Sequence, residues 1–61
     1  MIKRKMLIFV DTYSDGMYLA NTLYRPAIDV SLTRCDEEEW LYNDGAIRVE
    51  CYDCIYYFYH K

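Results

Sequence analysis

The sequence contains no apolar run long enough to cross a membrane. Its basic start, followed by the apolar stretch from Met6 to Val10, is typical of a signal peptide. Asp11 ends that stretch after five residues, and no small-residue cleavage site follows. A membrane-spanning helix needs about 18 apolar residues. We therefore expect no membrane segment and interpret the stretch as a first β-strand.

Cysteine and histidine are scarce, with three Cys and one His. An odd number of cysteines excludes a complete internal disulfide framework and favours a reducing cytoplasm. The four residues are nevertheless a Cys3His set suited to tetrahedral zinc, namely Cys35, Cys51, Cys54 and His60. On a continuous strand, however, Cys51 and Cys54 point to opposite faces. We expect free thiols and no cofactor, and keep a metal- or ligand-binding accessory domain as the alternative function.

Positive charge is concentrated in the first part of the chain. Residues 1–34 hold five Lys or Arg against three Asp, a net charge of +2, whereas residues 35–61 hold two against seven Asp or Glu, a net charge of −5. Direct binding of a nucleic-acid backbone needs clustered Lys and Arg. The acidic balance therefore argues against direct nucleic-acid binding and favours a protein partner with a basic surface.

No pattern of residues indicates catalysis. The loop after the first strand, Asp11 to Asp15, carries hydroxyls that suit an anion at a helix N-terminus, but its two carboxylates repel one. We interpret it as an ordinary capped turn. His60 is the only histidine and has no Ser or Cys beside it in sequence. A chain of 61 residues leaves little room for a supported pocket. We expect a protein that is not an enzyme.

The stretch from Ala46 to His60 organises the predicted fold. Its first part alternates apolar and polar residues, the pattern of a strand with one wet face, and its second part, Cys54 to Tyr59, is apolar or amphipathic on both sides. The first strand, residues 4–11, is also apolar on both faces, with Leu7 and Phe9 opposite Met6, Ile8 and Val10. This pattern predicts a central position for the first strand.

A helix and a second strand follow the first strand. The Thr12-x-x-Asp15 spacing predicts a cap, and the helix is expected to run to about Tyr24 because Pro26 stops it. Residues 27–33 alternate, which predicts a one-sided strand with Ile28, Val30 and Leu32 inward. A right-handed β-α-β connection would make the two strands parallel if they share a sheet.

Residues 36–42 fit two structures. Asp36 followed by three glutamates is typical of the first turn of a helix, with Gly45 as its stop. Asp44-Gly45 instead indicates a type I′ hairpin that would place Trp40 opposite Val49. We favour the hairpin. The expected fold is a single α+β domain over residues 1–61, of order β-α-β-β(-β), with one helix on one face of a three- or four-stranded mixed sheet.

Eight tyrosines make the composition unusual and favour interfaces, because tyrosine combines an apolar ring with a hydroxyl. We expect a small acidic protein-binding module, an inhibitor or regulator of a larger and nucleic-acid-handling protein, of the kind that phages or mobile elements encode. The predicted partner-binding residues are Asp36, Glu37, Glu38, Glu39, Trp40, Tyr42 and Tyr52. We also expect a homodimer, because one helix covers only one sheet face. The predicted self-association residues are Leu7, Phe9, Tyr56, Phe58 and Tyr59.

Overall fold

The computed structural model describes residues 2–24 and 30–61. Its elements are β1 (Arg4–Val10), α1 (Tyr13–Leu23), β2 (Ser31–Thr33), α2 (Glu37–Tyr42), β3 (Ile47–Glu50) and β4 (Cys54–His60). They form a four-stranded mixed sheet with two helices. The predicted small α+β fold with a mixed sheet is therefore confirmed.

The strands lie in the order β1-β4-β3-β2. β1 pairs in parallel with β4, whereas the other two pairings are antiparallel. The prediction that β1 is central is wrong, because β1 lies at one edge and β4 lies between β1 and β3. The central position explains why β4 is apolar on both sides: Ile55 and Phe58 are both buried, on opposite faces.

α1 begins and ends close to the predicted positions. The Thr12 hydroxyl accepts a 3.0 Å hydrogen bond from the Asp15 backbone N–H, which confirms the expected cap. The helix buries Gly16 and Ala20 against the sheet. Of the predicted second strand, residues 27–29 lie outside the described residues, and the part in β2 is confirmed.

The hairpin prediction for residues 36–42 is wrong, because this segment is the helix α2. The Asp36 carboxylate accepts a 2.8 Å hydrogen bond from the Glu39 N–H and caps the helix. At the other end the backbone N–H groups of Asn43 and Gly45 both donate to the Glu39 carbonyl. The left-handed residue that ends the helix is Asp44, with φ 55°, and not Gly45. α2 is thus a second helix beside the one that was predicted.

Both helices pack on the same face of the sheet. Trp40 of α2 is 1% exposed and lies in a core with Ala20, Ile47, Val49 and Phe58. Gly16 allows α1 to approach closely, since a Cβ atom there would lie 3.0 Å from the Ile47 Cδ1 atom. Burial of Trp40 therefore explains why residues 37–42 form a helix across the sheet and do not extend it.

Candidate functional site

Several of the exposed apolar side chains cluster around β1. Leu7 and Phe9 are each 58% exposed, on the sheet face opposite the helices. Met6 is also exposed, on the helix side of the same strand. Tyr18 and Leu19 of α1 are exposed next to the end of β1, where they line a groove of about 360 Å³ together with Phe9. We call these five residues the β1 surface.

Aromatic stacking holds Phe9 in place on the open face of the sheet. Its ring stacks on Tyr59 at a centroid distance of 5.8 Å, and Tyr59 stacks on Tyr57 at 6.3 Å. The Arg48 guanidinium lies 6.0 Å from the Tyr57 ring centroid. The three rings thus form one stack, with Phe9 at its exposed end on the edge strand. Contact with another protein would cover this apolar surface.

An ion network lies next to these rings. The Glu50 carboxylate accepts hydrogen bonds from Lys3 Nζ at 2.6 Å and from the Arg48 guanidinium at 2.8 Å. These two cations lower the pKa of the Glu50 carboxyl below its ordinary value, Lys3 more strongly than Arg48. Ile55, opposite Glu50 in the β3–β4 register, is 9% exposed. The sheet face opposite the helices is thus covered near Ile55 and remains exposed at β1.

One side of the β1 backbone has no partner strand among the described residues. The Arg4 N–H donates to the Asp53 carbonyl, and the Val10 carbonyl accepts from the Lys61 N–H, so the even-numbered residues turn their backbone groups toward β4. Successive residues of a strand direct these groups to opposite sides, so those of Lys5, Leu7 and Phe9 point outward. Within residues 2–24 and 30–61 no strand pairs with that side.

The predicted partner-binding residues do not form one surface. Asp36 and the three glutamates are exposed at the start of α2, and Tyr42 is 77% exposed at its end. Trp40 was predicted to contact a partner, which is wrong because its side chain is in the core. Tyr52 is exposed in the β3–β4 turn, at the other end of β3 from α2.

The predicted self-association residues also divide between two sheet faces. Leu7, Phe9 and Tyr59 lie on the open face, as expected. Tyr56 and Phe58 point to the helix side, and Phe58 is fully buried, so its assignment to a self-association surface is wrong. The sequence prediction missed Tyr57, although it lies two residues from Tyr59 on β4 and therefore on the same sheet face.

The four candidate metal ligands lie at different ends of the sheet. Cys35 is next to Gly45 and His60 packs against the Trp40 ring at 5.1 Å, whereas Cys51 and Cys54 flank the turn at the far end of β3. Among the described residues no three His, Cys, Asp or Glu side chains converge as a metal site. The prediction that Cys51 and Cys54 lie on one strand and face apart is wrong, because the chain reverses between them.

The loop between β1 and α1 offers no catalytic arrangement. The Thr12 hydroxyl is engaged in the helix cap, and the carboxylates of Asp11 and Asp15 both line the groove described above. Lys61 lines the other side of that groove. An anion would meet two negative charges there, as the sequence indicated.

Comparison with protein families, curated proteins and solved structures gives no match for this chain. The described helices are too short to cross a membrane, the longer of them, α1, having 11 residues.

Proposed function

We propose that this chain is a small non-enzymatic protein-binding module that forms a homodimer by pairing β1 with the β1 strand of a second copy. The observation that carries the proposal is the free edge of β1, bordered by exposed apolar side chains. An exposed seven-residue edge strand without proline is a template for pairing with another strand. Exposed apolar patches of this kind are usually covered by a partner.

An antiparallel pair centred on Leu7 uses every outward backbone group of β1. Leu7 then lies opposite Leu7 of the second copy, and Lys5 lies opposite Phe9. These outward-pointing residues form the hydrogen-bonded pairs of an antiparallel ladder, which exchange both N–H···O bonds. Two-fold symmetry makes the contact self-complementary and closed, so the association stops at a dimer.

Charge complementarity favours this register. The basic beginning of β1 approaches Asp11, which follows the end of the second copy's strand. The Lys5 ammonium lies beside the Phe9 ring, where a cation is attracted to the ring face. Opposite charges that face each other across strands stabilise a ladder, whereas like charges destabilise it.

The two-fold registers centred on the other outward-pointing residues, Lys5 and Phe9, are less favourable. A pair centred on Lys5 places two ammonium groups opposite each other. A pair centred on Phe9 places the Leu7 side chain opposite the Asp11 carboxylate and leaves Lys5 without a cross-strand partner. Only the register centred on Leu7 pairs all seven residues of β1.

Each copy keeps its acidic surface, which consists of Asp36 to Glu39 and Tyr42, for a larger protein with a basic surface. A nucleic-acid-handling protein presents such a surface. Binding there would make the dimer an inhibitor or regulator of that protein. We place the dimer in the cytoplasm, a location supported by the three free cysteines.

Light scattering on a sizing column at tens of micromolar tests the dimer. We expect a mass near twice 7.4 kDa for the wild-type chain. Leu7→Asp should elute as a monomer, because it places two carboxylates opposite each other at the two-fold axis. Tyr42→Asp is the matched control, since Tyr42 is also exposed but lies at the end of α2, outside the proposed contact. Far-UV circular dichroism would verify that both variants are folded. A 7.4 kDa wild-type protein, or a dimeric Leu7→Asp variant, would contradict the proposal.

A further inference from the structure

We propose that Cys51 and Cys54 form a reversible dithiol–disulfide pair across the turn between β3 and β4. In the β3–β4 register Glu50 lies opposite Ile55, and one further step places Cys51 opposite Cys54. The Cys51 N–H donates a 2.8 Å hydrogen bond to the Cys54 carbonyl, so the antiparallel pairing continues to this pair. The inference is independent of the proposed dimer.

Directly opposed residues direct their side chains to the same face of a sheet. In a hydrogen-bonded antiparallel pair their Cα atoms lie about 5.5 Å apart, within the roughly 4.4–6.8 Å that disulfides span. Their Cβ atoms lie about 4.5–5.5 Å apart, somewhat farther than the roughly 3.5–4.5 Å of a disulfide. Closing the bond therefore draws the two strands together. Such a bond is strained and easily reduced, which favours a reversible site over a structural one.

The turn makes the pair accessible. Tyr52 and Asp53 are exposed, and both cysteines are half-buried and free. A recess of about 210 Å³, lined in part by Arg4 and Met6, opens at Cys54. Burial, followed by the neighbouring Cys54, raises the pKa of the Cys51 thiol. Cys54 is therefore the thiol that an incoming disulfide meets first.

Glutathione disulfide is the class of oxidant that completes the reaction. The Cys54 thiolate attacks one of its sulfur atoms, which breaks the S–S bond and releases one glutathione thiolate. The Cys51 thiolate then attacks the Cys54 sulfur of the mixed disulfide and releases the second glutathione thiolate. The two protein thiols are oxidised, one glutathione disulfide is reduced to two glutathione thiols, and the two protons pass to solvent or to the released thiolates. Excess reduced glutathione reverses both steps.

Intact mass after alkylation tests the pair on the full chain with Cys35→Ser as background. Cys35 lies at the other end of β3, so its removal leaves one candidate pair. In reduced glutathione we expect two alkylated cysteines. In glutathione disulfide we expect none, with loss of two hydrogens and no glutathione adduct. Adding Cys51→Ser should trap one glutathione on Cys54, since the resolving thiol is gone.

Three outcomes would overturn the inference. In the first, the Cys35→Ser protein keeps two alkylatable thiols in glutathione disulfide. In the second, it carries one glutathione on each remaining cysteine, and in the third it forms disulfides only between chains. A disulfide that resists a large excess of reduced glutathione would contradict its reversibility. Each result is read from the same mass spectra, so no outcome depends on an unidentified ligand.

Discussion

The Trp40 indole N–H donates a 2.9 Å hydrogen bond to the backbone carbonyl of Phe58, which joins α2 to the central strand of the sheet. The Trp40 ring also contacts Tyr13 edge to face at 5.6 Å, so one side chain connects both helices to β4. A buried indole needs such an acceptor. Trp40 therefore determines where α2 lies, and it is part of the fold and not of a binding surface.

Trp40→Phe tests this relationship. The change keeps an aromatic ring but removes the donor and part of the ring volume, so we expect a loss of about 1–3 kcal/mol in the free energy of unfolding. Urea titration followed by far-UV circular dichroism measures it, at one protein concentration because dimerisation shifts stability. Tyr42→Phe, on the exposed end of α2, is the control and should change stability by less than about 0.5 kcal/mol. Equal stability of the two variants would contradict the role of Trp40.

Gly45 is required by close packing and not by its backbone angles. A Cβ atom there would lie 2.7 Å from the Cys35 Sγ atom and 3.2 Å from the Glu39 carbonyl oxygen. We expect Gly45→Ala to destabilise the protein by about 1–3 kcal/mol. In a Cys35→Ala background the same change should cost less, because the sulfur is gone. Urea titration of the four proteins gives the coupling energy, and strictly additive effects would show that the contact with Cys35 does not matter.

The acidic surface is tested by charge reversal at Glu37 and Glu38 together. If it attracts a basic protein, binding of a basic partner recovered from the native host should slow as salt rises, with screening over about 8 Å at physiological ionic strength. The double reversal should lower the association rate, measured by surface plasmon resonance. Circular dichroism would verify that α2 persists. An unchanged association rate would show that the acidic residues of α2 serve only solubility.

Local sequence signals predicted β1, α1, the described part of β2 and the strand character of residues 46–60, because each depends on its own hydrophobic period or cap. They did not predict that residues 46–60 divide into β3 and β4. Residues 36–42 carry two local signals of similar strength, and the contact between Trp40 and Phe58 decides between them. That contact joins residues far apart in sequence, so a short window does not contain it. Both β4 and β1 carry apolar residues on both faces, so this pattern does not distinguish the central strand from the edge strand. The exposure of Leu7 and Phe9 was predictable from alternation, whereas their position at a free edge depends on strand order.

The pairing of Cys51 with Cys54 was missed for a related reason. A strand that continues through Tyr52 and Asp53 would point the two thiols apart, whereas a chain reversal places them opposite each other. The sequence there has neither glycine nor proline to indicate a turn. The reversal follows from the register in which β3 and β4 pair their buried residues, such as Ile47 with Phe58.

Glu50 makes the stability of the protein depend on pH in the acidic range. Lys3, and then Arg48, lower its pKa in the folded chain below the ordinary value of 4.5. The unfolded chain therefore takes up a proton at a higher pH than the folded chain. The resulting stabilisation is complete above the unfolded pKa and is lost as pH falls through the folded pKa.

Glu50→Gln should remove this part of the pH dependence, measured as urea midpoints at several pH values below neutrality. Lys3→Met should flatten the same part of the curve, since it removes the first cause of the shift. The double variant should add little to Glu50→Gln, because Lys3 acts on the pH dependence through Glu50. A wild-type slope retained in Glu50→Gln would assign the acid sensitivity to other carboxylates.

The β1 register can be tested with single cysteines in a chain whose three native cysteines are replaced by serine. In the proposed dimer Leu7 faces Leu7 across the two-fold axis at a Cα separation of about 5.5 Å, which suits a disulfide. Leu7→Cys should therefore give a cross-linked dimer in glutathione disulfide, seen on a non-reducing gel. Lys5→Cys alone should not, because Lys5 faces Phe9 of the second copy, but a mixture of Lys5→Cys and Phe9→Cys chains should cross-link. Efficient cross-linking of Lys5→Cys alone would move the register toward Lys5. A dimer by light scattering that none of these cysteines cross-links would place the contact on another surface.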